Sequence, residues 1–153
     1  ANGQPLGEFL VDGAEAKDWE SITTDGSGHL YIGDIGNNKN QRRDLTVYRV
    51  REPQVTTSGG IVKGSLAVQG RTRFHYPEQS GFPDPQIMNF DSEATFWGPG
   101  VGSAGTLYLL TKHRSDQRTV LYLELHGPFL FHASPFLQSP RYVGHICRRN
   151  RFV

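Results

Sequence analysis

An all-β protein is predicted by three features of this 153-residue sequence. Its apolar residues come in short runs rich in Val, Ile, Leu and Tyr, too brief for helices and suited to strands. Eighteen Gly and 9 Pro are scattered between those runs as punctuation, the distribution expected of many tight turns. One order of runs, turns and loops also occurs twice, at a spacing of about 75 residues. With 36% apolar and 11% aromatic residues, the chain has enough material for a packed core and is not disordered as a whole.

Taken in order, the first run is 19–23, followed by a turn at Asp25-Gly26-Ser27-Gly28 and a second run, 29–34. Asp-Gly and Gly-rich turns supply the positive φ angles of a tight hairpin, so these two runs are predicted to pair antiparallel. A polar loop, 35–44, leads to a third strand at 45–50. Residues 66–69 and 71–76 read as two outer strands, and a Pro/Gly-rich loop spans 77–85. The order then recurs: an acidic start at Asp91, a run to Trp97, a Gly-rich turn, a strand at 106–111, a polar loop and a strand at 120–123. Tyr31 and Tyr108, and Tyr48 and Tyr122, take corresponding places, so these aromatics, with Trp19 and Trp97, are expected to pack between the units. From 126 to 153 the alternation fails, and this segment is expected to be an irregular extension or a reading-frame or cloning artefact. Four-stranded antiparallel units repeated in this way are the pattern of β-propeller blades. Residues 1–125 would then hold two blades, starting near 18 and 91. Two blades cannot close a ring, so the chain is expected to be a fragment that meets its remaining blades or self-associates through exposed blade edges.

Composition excludes some partners. A net charge of +1 gives no field of the kind that nucleic acid or an anionic membrane requires. No apolar run approaches the roughly 20 residues of a membrane-spanning helix. Cys147 stands alone, so no internal disulfide is available to indicate the redox compartment. The chain opens at Ala1 without an initiator Met or a signal core, and reads as mature or cut.

Several segments together suggest a family. Asp18-Trp19-Glu20-Ser21-Ile22, Leu30-Tyr31-Ile32-Gly33-Asp34-Ile35-Gly36-Asn37-Asn38, Arg42-Arg43 and Thr46-Val47-Tyr48-Arg49-Val50 with Glu52-Pro53 resemble a group of bacterial secreted six-bladed β-propellers without assigned activity. That group is related to the phytase-like esterase and SdiA-regulated propellers. Arg73-Phe74-His75-Tyr76-Pro77, Asp91-Ser92-Glu93-Ala94 and Leu107-Tyr108-Leu109-Leu110-Thr111-Lys112 look like its next blade. The resemblance covers about residues 7–125 and implies a six-bladed ring and a secreted or periplasmic location. Asn37 stands where the group usually carries Asp, which weakens a metal role for that loop. Fold alone carries no reaction with it.

The most specific chemical signal is the pair of acidic starts, Asp18/Glu20 and Asp91/Glu93. Residues two apart on a strand share a face, and carboxylates from successive blades would converge near the channel, where a hard cation such as Ca²⁺ takes several oxygen ligands. The plainer reading has them holding turns and strand register. Asp34, Asn37 and Asn38 follow an apolar strand and form a second candidate ligand site, against which stands their common use in Asx turns. Arg42 and Arg43 read as a solvated pair or as partners of Asp44.

Other patterns fail their context. Gly100 to Gly105 spells G-x-G-x-x-G, but a strand follows where dinucleotide binding needs a helix. The histidines lack zinc spacings, there is no G-x-S-x-G elbow, and the basic cluster 148–151 reads as a solvated terminus. No catalytic residue is therefore assigned. The reading favoured by the sequence is a non-catalytic binding or scaffold propeller, with Ca²⁺ at the acidic pairs as a candidate ligand. Its alternatives are a metal-dependent phosphoester or carboxylic ester hydrolase, and a structural fragment without ligand.

Overall fold

The computed structural model describes residues 5–55, 60–76, 78–86, 89–99, 105–112, 119–123, 125–126 and 130–131. Among these residues there is no helix, and the all-β expectation is met. The strands are β1 (Gly7–Asp12), β2 (Trp19–Thr24), β3 (His29–Asp34), β4 (Leu45–Arg51), β5 (Val62–Phe74), β6 (Asp91–Pro99), β7 (Gly105–Lys112), β8 (Thr119–Leu123), β9 (Leu125–His126) and β10 (Leu130–Phe131). They build a five-stranded sheet in the order β1-β5-β4-β3-β2, a three-stranded sheet β6-β7-β8 and the short pair β9-β10.

The β2–β3 hairpin forms where its turn chemistry places it. Gly26 and Gly28 take φ of 71° and 92°, and the Asp25 carboxylate accepts the amides of Ser27 at 2.7 Å and His29 at 3.2 Å. That carboxylate closes the turn with the donors a hairpin end leaves unpaired. From β2 through β5 the strands pair antiparallel in sequence order.

Two expectations about the first sheet need correcting. The outer strands placed at 66–69 and 71–76 are one strand, β5, because Val68 pairs with Val50 and Gly70 with Arg49, leaving Gln69 as a bulge. A bulge absorbs one residue and bends a strand without ending it. The sheet is also mixed, since β1 pairs parallel with β5 from Gly7↔Val62 to Asp12↔Ala67. The 126–153 segment, expected to be irregular, contains His126 of β9 and the whole of β10, and its remainder lies outside the described residues, as does the Gly-rich stretch 100–104.

Alternation along the strands gives the first sheet two apolar faces. One carries Ile35 and Val47 with Tyr31 and Phe74, and packs against Leu107, Leu109 and Trp97 of the second sheet. Tyr31 stacks on Trp97 with ring centroids 4.9 Å apart, and the Ser21 hydroxyl bonds that of Thr95. The expected packing of aromatics between units holds for this pair. The opposite face buries Ile32, Tyr48 and Val50 under Val11 and Ala14, beside Leu30, Leu66 and Val68. A third cluster, Leu45, Tyr76, Phe90 and Phe74, ties the loop before β6 to the start of β4.

Candidate functional site

The four carboxylates singled out by the sequence lie where β2 and β6 run beside each other. Both strands break register at their glutamate. Trp19 pairs with Asp34 and Ser21 with Gly33, leaving Glu20 without a ladder partner; Ser92 pairs with Thr111 and Ala94 with Leu110, leaving Glu93 likewise. A bulge re-aims the side chain at its own position, yet Asp18 and Glu20 still meet at Gly36, as residues two apart on one face would. Within the second pair the outcome is visible, with Asp91 buried and Glu93 exposed.

Asp18, Glu20 and Asp91 reach the backbone of Gly36 and Asn37, while Glu93 is held by Lys112. A Cβ on Gly36 would stand 2.7 Å from Glu20 Oε1 and closer still to the Asp18 carboxylate, so any side chain there would push these acids from their present positions. Gly36 N–H donates to the Asp18 carbonyl at 3.2 Å, and the next amide, Asn37 N–H, donates to Asp91 Oδ1 at 2.8 Å. Lys112, the register partner of Asp91, places its Nζ 3.5 Å from Asp91 Oδ2 and bonds Glu93. Burial raises the Glu20 pKa above the ordinary carboxylate range, and the charges of Glu93, Asp18 and Asp91 raise it further. Repulsion of this kind is relieved by a proton or by a cation. Among the described residues, no three His, Cys, Asp or Glu side chains are grouped as a ready metal cage.

Asp34, Asn37 and Asn38 separate in the structure. Asp34, 1% exposed, accepts the Asp18 amide at 2.8 Å and the Lys17 amide at 3.4 Å, and pairs with Arg42 Nη1 at 3.0 Å. Asn37, 2% exposed, has its side-chain groups engaged throughout: Oδ1 accepts the amides of Gln41 and Arg42, each at 2.9 Å, while Nδ2 donates to the Phe90 carbonyl at 2.9 Å and to Gln79 Oε1 at 3.4 Å. Both residues hold the 35–44 loop in shape and position the acids. Asn38 is exposed.

The expected Arg42–Asp44 pair forms at 3.3 Å, with Arg42 also donating to the Gly36 carbonyl at 2.8 Å. Arg43 instead lies over the Phe82 ring, 4.1 Å from its centroid. Lys17 bonds Asp44, and this bond comes first among the causes that hold the Asp44 pKa below the ordinary range despite burial. Sequence reasoning passed over Lys112 and Gly36. The signal for Lys112 was its place on the strand opposite Asp91, legible only once the hairpin register was known. No family model, curated protein or solved structure matches the chain.

Proposed function

We propose that the chain forms two adjoining β-propeller blades of a non-catalytic binding or scaffold protein of the bacterial exterior, with Asp18, Glu20, Asp91 and Glu93 holding Ca²⁺. The observation that carries this reading is that Asp18 and Glu20 meet at Gly36 with Asp91 on the next amide, while Glu93, on the neighbouring strand bulged at the corresponding residue, adds its charge to those that raise the Glu20 pKa. The antiparallel run β2 to β5, with β2 lying beside β6, supports the blade assignment, because inner strands of successive blades lie side by side around a ring. The exterior location follows the sequence resemblance. Asp91 and Asp18, anchored by backbone donors, would form the fixed part of the cation site, while Glu20 and Glu93 would close on the ion and Lys112 would yield to it. A site of this type belongs with the weaker extracellular Ca²⁺ modules, whose Kd is about 10⁻⁴ to 10⁻³ M.

Thermal unfolding with EDTA and with millimolar Ca²⁺ tests the proposal, using the native chain and Glu20→Gln/Glu93→Gln. A ligand that binds only the folded state stabilises it by about 0.4–1.4 kcal/mol at 1 mM and this affinity, or roughly 1–5 °C for a chain of this size. The expected result is such a rise in the native chain and none in the variant. Equal behaviour of the two proteins would leave the carboxylates as structural groups only.

A further inference from the structure

β4 ends in two arginines that share a face. Arg49 pairs with Tyr31 and Arg51 with His29 across the β3–β4 ladder. Tyr31 points to the second sheet, where it stacks on Trp97, so its register partner Arg49 and, two residues on, Arg51 stand on that same side. The cover of the second sheet runs out along β4: Val47 is buried, Arg49 half-buried and Arg51 exposed. Arg51 crosses the hairpin turn, its Cζ 3.8 Å from where a Cβ on Gly28 would stand. Arg49 lies near the Tyr31 hydroxyl, where its charge opposes the rise in pKa that burial and Asp25 impose on that group.

The protein's own carboxylates do not meet these two charges. Arg42 has Asp34 and Asp44, but among the described residues neither Arg49 nor Arg51 lies within salt-bridge distance of an acid. Asp25, the acid of this hairpin end, is engaged by its own turn: it accepts the amides of Ser27 and His29, meets His29 Nδ1 at 3.1 Å and accepts the Tyr31 hydroxyl at 3.4 Å. Of the three Arg49 nitrogens, only Nε is enclosed without an acceptor. A guanidinium held half out of water with no anion beside it carries a desolvation cost that an anion from solution relieves. Two like charges two residues apart on a strand, at about 7 Å, repel each other, and the same spacing lets one tetrahedral oxyanion accept from both. We propose that Arg49 and Arg51 bind a phosphate or sulfate group between their guanidinium heads, at the rim where β4 leaves the cover of the second sheet. This site stands at the His29 end of β3, whereas the acids stand at the Asp34 end, and the two share no residue. The Ca²⁺ experiment can therefore fail without affecting it.

Isothermal titration of inorganic phosphate into the native chain, in EDTA to keep calcium out, provides the test. The expected result is saturable binding of one phosphate per chain, displaced by sulfate and weakened roughly tenfold or more in Arg51→Gln, which loses a charge-assisted donor. Arg51 is exposed, so its replacement leaves the packed interface intact; Arg49→Gln is expected to weaken binding as well, but the test does not depend on that half-buried position. Arg73→Gln removes an exposed arginine from the opposite face, where Arg73 pairs with Thr46, and should leave binding unchanged. Phenyl phosphate separates the sources: tighter binding than phosphate assigns the group to a larger ester, equal binding to the free ion, and either upholds the site. Absence of saturable binding overturns the proposal, as does undiminished binding by Arg51→Gln or an equal loss in Arg73→Gln.

Discussion

At the scale of single residues, Glu20 carries the electrostatic argument. Its pKa is raised in the folded chain, so between the ordinary carboxylate value and the raised one the folded state binds more protons than the unfolded state. Stability from this group is therefore present at low pH and is lost as pH rises through the raised pKa. Asp44 acts in the opposite sense: its lowered pKa gives stability above the ordinary range that is lost as pH falls through the lowered value. Glu20→Gln removes the repulsion at neutral pH while leaving Asp44 alone. In EDTA at pH 7 the variant is expected to be more stable than the native chain by about 0.5 kcal/mol, small because solvent screens a partly exposed group. The gain should vanish below the ordinary carboxylate range, and urea unfolding across pH measures it. A variant less stable than the native chain at pH 7 in EDTA would mean that Glu20 is held by attraction.

At the scale of elements, local sequence showed most of what local physics determines. β2, β3, β4, β6 and β7 fall within a residue or two of their predicted spans, because β-branched and aromatic runs bounded by Asp-Gly and Gly turns state both strand and boundary. β1 was missed because its stability comes from parallel pairing with residues 62–67, a partner that no local pattern displays. β5 was divided because Gly70 resembles a break, although a bulge at Gln69 carries the strand through. The bulges at Glu20 and Glu93 were equally hidden, and they alter how the acids are aimed. The 35–44 loop shows how elements are joined: one buried side chain, Asn37, satisfies two amides of its own loop and reaches the carbonyl of Phe90 just before β6. Asn37→Ala leaves the buried Phe90 carbonyl and the two partly buried amides without their partner and is expected to cost about 1–3 kcal/mol in urea unfolding. Hydrogen exchange should quicken first at Gln41 and Arg42. An unchanged unfolding midpoint would show that other contacts hold the loop.

At the scale of the whole molecule, two sheets share one apolar interface, and the acidic residues stand at the edge where their bulged strands run together. The sequence named the four acids from their spacing, and the structure links Asp18, Glu20 and Asp91 through Gly36 and Asn37, which spacing alone could not connect. Lys112 and the buried Asp34–Arg42 pair were illegible as parts of that arrangement, because both depend on register across strands or on a folded loop. The central claim is that the convergence serves a cation. Isothermal titration of Ca²⁺ into the metal-free chain at pH 7, beside Glu20→Gln/Glu93→Gln, tests it most directly. The account predicts saturable binding of one Ca²⁺ per chain that the double variant loses; heats of dilution alone in the folded native chain, or equal binding by both proteins, would contradict it.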